Sequence, residues 1–107
     1  MKKLLILAAC CLILPAHAEF KDGNKLLAEM NGSIYDQMSS LGYVMGVADA
    51  LYGAVVCNPS NATAGQMNDM IKRYLENNPS VRHYSADSLI ARVLEQSWPC
   101  KKRGSGV

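Results

Sequence analysis

Leu41-Gly42-Tyr43-Val44-Met45-Gly46-Val47-Ala48-Asp49-Ala50-Leu51-Tyr52-Gly53-Ala54-Val55-Val56 is long and apolar and carries a single charge. Such a run reads as the buried central helix of a small helical domain. It should end where Cys57 meets Asn58-Pro59, because proline disfavours helical geometry in the residue before it. Gly42, Gly46 and Gly53 recur at spacings that stack them on one helical face. Each glycine inside a helix costs about 1 kcal/mol against alanine. The pattern therefore predicts a face where another helix approaches closely, and Gly46→Leu is expected to wedge the helices apart. Asp49 must either be satisfied by donors from another element or belong to an exposed contact surface, because a bare carboxylate among apolar neighbours is costly.

Residues 1–18 read as a cleaved secretory leader. Lys2 and Lys3 open it, Leu4 to Leu14 are apolar, and Pro15-Ala16-His17-Ala18 ends in the small-x-small pattern of a signal-peptidase site. Cleavage leaves Glu19 first and sends the chain to the periplasm. The apolar run is too short to cross a bilayer core of about 30 Å, and no later segment is apolar enough to insert. A rival reading takes Leu7-Ala8-Ala9-Cys10 as a lipoprotein box, but Cys11 to Ala18 would then be an unusually apolar start.

The whole chain has 107 residues and a formal charge of +2. Lys2 and Lys3 leave with the leader, so the remainder is neutral and offers no warrant for nucleic-acid binding. Residues 19–100 make one small domain, and 101–107, opening with Lys101-Lys102-Arg103, read as a basic flexible tail. A core of this size is marginal by itself. Cys10 and Cys11 fall in the leader, which leaves Cys57 and Cys100 as an even pair in an oxidising compartment and predicts a disulfide between them.

Around the central run the helical signals are plain. Lys25-Leu26-Leu27-Ala28-Glu29-Met30 makes a short amphipathic helix that Asp22 or Asn24 can cap, and Asn31-Gly32-Ser33 breaks it. Ile34 to Ser40 forms either the first turns of the central helix or an irregular approach to it. Thr63 and Gln66 form a capping box for a helix running to about Glu76, with Met67, Met70, Ile71, Tyr74 and Leu75 on one face. Asn77-Asn78-Pro79 ends it. Ser85 can cap a last helix whose inward stripe is Ala86, Leu89, Ile90, Val93, Leu94 and Ser97. The fold class is all-α, a compact bundle of about four helices stapled by one disulfide.

The residues argue against chemistry. Cys57 and His83 suggest a nucleophile and base, yet a bridged sulfur cannot attack. His83 is the sole histidine beyond the leader, and the two cysteines lack close metal-ligand spacing, so no metal is expected. Asp49, Asp69, Glu76 and Asp87 are scattered over separate helices without forming an acid–base pair. Neither a cofactor nor an enzymatic role is called for, and binding is the better class.

Gly42-Tyr43-Val44-Met45-Gly46-Val47-Ala48-Asp49-Ala50, then Cys57 with a short loop, then Tyr74-Leu75-Glu76-Asn77-Asn78-Pro79, Arg82-His83 and Trp98-Pro99-Cys100, together resemble the Rap/Tai type VI secretion immunity proteins. That resemblance covers most of residues 19–100. It implies a small helical periplasmic protein that binds and blocks a cognate peptidoglycan amidase effector; a homodimer is a separate candidate partnership, which the resemblance does not supply. Many members carry another cysteine pair, at positions aligned here with Met30 and Ser40, so that bridge cannot form. Gly42, Gly46, Asp49, Cys57, Pro79, His83 and Cys100 match the family pattern, and the resemblance assigns them to architecture.

An inhibitor that fills a cleft needs a stiff, protruding loop. Glu76 to Tyr84 suits this best: Pro79 stiffens it, while Glu76, Asn77, Asn78, Arg82, His83 and Tyr84 offer polar tips and an aromatic anchor. The loop Asn58 to Ala62, fixed at one end by Cys57, is a second candidate. Two other functions fit a small stapled helical protein: a periplasmic acid-stress chaperone, which would expose apolar surface on acid unfolding, and an orphan family member without an effector.

Overall fold

The computed structural model describes residues 20–57, 59 and 61–101. The leader, the Leu7-to-Cys10 box, Asn58, Ser60 and the tail beyond Lys101 lie outside the described residues. Four α-helices follow in order: α1 (Gly23–Met30), α2 (Ile34–Leu51), α3 (Ala64–Asn77) and α4 (Ala86–Ser97), with a single 3-10 turn at Pro79–Val81. The all-α class is as expected.

The caps set most helix starts. Asp22, rather than Asn24, caps α1 by accepting from the Lys25 amide at 2.8 Å. Ser33 and Asp36 make a reciprocal capping box, each bond 3.2 Å, so Ile34 to Ser40 are the first turns of α2. Thr63 and Gln66 form the expected box at α3, with bonds of 2.8 and 3.1 Å. Ser85 occupies the cap position of α4 without bonding a backbone amide. Its hydroxyl donates to Ser88 Oγ at 2.9 Å, and the Ser88 hydroxyl returns to the Ser85 carbonyl at 2.7 Å.

The far end of α2 differs from expectation, stopping at Leu51 rather than Val56. Tyr52 leaves the helix in an extended conformation, and Gly53 takes φ +84°, a left-handed value glycine reaches without a Cβ penalty. The chain then folds back, with the amides of Ala54, Val55 and Val56 all donating to the Leu51 carbonyl and the Gly53 amide donating to Val56 at 2.8 Å. This reversal buries Val56. Cys57 follows directly, its amide donating to the Trp98 carbonyl at 2.9 Å and its sulfur bonded to Cys100.

α2 touches all three other helices. Its buried line is Ser40, Val44 and Ala48. Leu26, Leu27 and Met30 from α1, Met67, Ile71 and Leu75 from α3, and Ala86, Leu89, Ile90, Val93 and Leu94 from α4 complete the core with Val56. Ser97, assigned inward by its spacing, is exposed. Met30 and Ser40 are both buried, and Ser40 donates to the Gln37 carbonyl at 2.9 Å.

The glycines of the central run correct the sequence reading. Gly42, Gly46 and Gly53 are exposed, and a Cβ placed on any of them meets nothing within 4 Å. No described helix approaches that face. Asp49 is exposed too, so its carboxylate is hydrated rather than satisfied by a neighbouring element. The close approach occurs instead at Gly23, where a Cβ would lie 2.7 Å from Leu89 Cδ1 and 2.9 Å from the Arg82 carbonyl oxygen.

Candidate functional site

The α3–α4 connection is held from behind by the start of the described chain. The Gly23 amide donates to the Tyr84 carbonyl and the Asn24 amide to the Arg82 carbonyl, both at 3.0 Å, while the Ala86 amide donates to the Lys21 carbonyl at 2.8 Å. Asp22 and Ser85 pair as an antiparallel bridge. Three backbone bonds thus clamp Arg82 to Ala86 against Lys21 to Asn24. Gly23 makes the clamp geometrically feasible, since any side chain there would strike the Arg82 backbone.

A partly buried charge cluster supports the same junction. The Lys21 ammonium lies 2.6 Å from a Glu29 carboxylate oxygen and 4.5 Å from the centre of the Tyr43 ring. This ties the segment before α1 to both α1 and α2. Burial, and then the Asp87 carboxylate, hold the Tyr43 hydroxyl above the usual phenol range, with partial offset from a hydrogen bond to the Asp87 backbone.

On this support the loop presents its side chains unequally. Glu76, Asn77, His83 and Tyr84 are exposed. His83 and Tyr84 stack with ring centroids 4.1 Å apart and planes inclined at 37°, forming a two-ring tip. Asn78 is half-buried and its side-chain amide donates to the Tyr74 carbonyl at 2.9 Å, closing the end of α3. Pro79 opens the 3-10 turn, where its missing amide costs nothing. Arg82 is half-buried, with Nε shielded from solvent and without a hydrogen-bond partner. So the loop divides into outward residues and residues engaged in its own architecture.

Two concavities border the α3–α4 face. One, of about 440 Å³, is lined by Tyr74, Val81, Tyr84, Ser88, Leu89 and Arg92, and the loop forms one wall. Another, of about 430 Å³, lies near the disulfide and includes Asn61, Ala62, Arg73 and Trp98. It takes in the described end of the second candidate loop.

Elsewhere α2 exposes Ile34, Tyr35 and Met38 together, an apolar patch one to two turns from Gly42. The sequence missed this surface because α2 is apolar on both sides, and a helix apolar all round gives no clue to which side is covered. Among the described residues no group of three or more His, Cys, Asp or Glu side chains is placed to hold a metal ion. The bond to Cys100 takes the Cys57 sulfur out of any nucleophilic role. No described helix is long and apolar enough to cross a membrane.

A comparison with curated proteins gives no match. A family model for Rap1a immunity proteins matches residues 22–100, which spans the four described helices, the clamp apart from Lys21, and both bridged cysteines. On that match the chain belongs to the Rap1a immunity protein family.

Proposed function

We propose that this chain is a periplasmic type VI secretion immunity protein that binds and inhibits a cognate peptidoglycan amidase effector and has no catalytic activity of its own. Family membership supports the immunity role, and the clamped loop carries the choice of surface. Inhibition by occupying a cleft needs a projection that loses little freedom on binding. The backbone bonds from Gly23 and Asn24 fix the loop before any partner arrives, and the stacked His83 and Tyr84 rings stand at its tip. Aromatic anchors of this kind dominate interface energetics.

The test is made with a peptidoglycan amidase sought among the products of the reading frames that neighbour this chain. Wild-type protein should bind it tightly and suppress its activity. Replacing His83 and Tyr84 by alanine should weaken binding more than tenfold, about 1.4 kcal/mol, with an unchanged melting temperature. Arg82 is unsuited to this purpose, because it is half-buried and its carbonyl belongs to the clamp. Unchanged inhibition by the double variant would remove the loop from the mechanism, and failure of the wild type to bind would remove the immunity reading.

Ile34, Tyr35 and Met38 support a second contact, with another copy of this chain across the exposed side of α2. Sedimentation should report a dimer that Met38→Lys converts to a monomer; a wild-type monomer at all concentrations sinks this contact.

A further inference from the structure

The 440 Å³ concavity beside the loop has a chemical character that its geometry makes specific. Leu89, almost fully buried, and the half-buried Val81 supply apolar surface. Around them stand the Tyr74 and Tyr84 phenols and the Arg92 guanidinium. Ser88 also lines the site, but its hydroxyl proton is engaged by the Ser85 carbonyl. Among the described residues the sole ion pair is Lys21 with Glu29, and neither the Arg92 guanidinium nor either phenol hydroxyl has a hydrogen-bond partner. Arg92 is the one charged residue in the lining. Two acids of α4 stand near but outside this lining: Asp87, whose carboxylate accepts from the Ser88 amide at 2.8 Å, and Glu95, which borders a neighbouring concavity that shares Ser88 and Arg92.

We propose that this concavity receives one carboxylate side chain of the protein partner, an Asp or Glu adjoining the cleft that the loop enters; the proposal rests on the binding role given above. Apolar walls accept the methylene stem, and the guanidinium fork matches a carboxylate with two parallel N–H donors. A phenol hydroxyl adds a third donor. A cationic side chain is repelled by Arg92, and a neutral amide forfeits the charge-assisted bonds. The position favours a macromolecular source, because Tyr84 is at once the tip of the loop and a wall of the concavity. A partner that grips the tip brings its adjoining surface over Arg92.

N-acetylglutamate N-methylamide is the direct probe, followed by nitrogen–proton NMR of the intact protein. Signals of Leu89 and Arg92, including the Arg92 side-chain Nε–H, should shift with this compound and stay in place with the glutamine analogue. Arg92→Gln, an exposed substitution outside the core, should abolish the shifts. Absent shifts, or equal shifts with the neutral analogue, overturn the proposal whether or not an amidase binds. With the amidase as partner, Arg92→Gln should cost about tenfold in affinity and flatten its decline with salt, and Arg92→Lys should restore part of both. If His83 and Tyr84 variants lose binding while Arg92→Gln binds as wild type does, the loop stands and the carboxylate site falls.

Discussion

Gly23→Ala tests the clamp at its tightest point. The new methyl would lie 2.7 Å from Leu89 Cδ1, 2.9 Å from the Arg82 carbonyl oxygen and 3.1 Å from Arg82 Cα. Leu89 Cδ1 can turn aside, but the Arg82 atoms are backbone and can move only if the loop moves. Overpacking of this kind costs about 1–3 kcal/mol. Relief by parting the strands gains little, because it lengthens the Gly23 and Asn24 hydrogen bonds, each worth about 1 kcal/mol net. Alanine's better helix propensity returns less than about 1 kcal/mol at this first helical position. The net loss is about 1–2 kcal/mol, which lowers the melting temperature by roughly 5–15 °C in a domain of this size. Gly46→Ala is the matched control: its methyl enters open space, so helix propensity should stabilise by up to about 1 kcal/mol. Thermal melts followed by circular dichroism give both signs. A Gly23→Ala protein melting at or above wild type refutes the clamp, and a Gly46→Ala protein melting below it restores the packed-glycine reading of α2.

Other outcomes can be stated more briefly. Ile71→Ala empties a fully buried position and should cost about 2–5 kcal/mol, read as a lower urea midpoint at constant slope. Replacing Cys57 and Cys100 together by serine releases a loop of 43 residues' separation and should cost about 4 kcal/mol on the chain-entropy account, with an unchanged helical spectrum under native conditions. The raised Tyr43 hydroxyl sets the sign of an alkaline effect. Its contribution is intact below the ordinary phenol value near pH 10 and is lost as pH climbs through the higher folded value. Tyr43→Phe should therefore lose less stability than wild type on going from pH 9 to 11, and parallel curves would show that Tyr43 takes no part.

How much the sequence disclosed depends on where the deciding atoms lie. Thr63 with Gln66, and Met67 with Ile71 and Leu75, are local signals, and α3 forms where they place it. The stop of α2 was misread because Asn58-Pro59 is the louder breaker, whereas Gly53 ends the helix by taking a left-handed φ that lets Val56 turn into the core. Gly42 and Gly46 misled for a related reason: α2 has Val44 and Ala48 on one side and Ile34, Tyr35 and Met38 on the other, so periodicity could not tell covered from bare. Gly23 carried no local mark of its importance. It lies in a plain Asp-Gly-Asn start, and its constraint comes from Arg82 and Leu89, far along the chain. The loop itself was readable from Pro79 and its aromatic and basic residues. Its division into exposed His83 and Tyr84 and engaged Asn78 and Arg82 was not, because tertiary contacts make that division.

The clamp also has a consequence in time. The amides of Gly23 and Asn24 belong to the first-made part of the domain, and the carbonyls they seek, on Tyr84 and Arg82, to the last-made part. Contacts of such long sequence separation close late, after local helices have formed. A chain emerging amino end first can therefore build α1, α2 and α3 while the loop still lacks its rear support. The finished loop exists only once both ends of the domain have met, so a truncated or half-folded copy lacks the surface that a complete one presents.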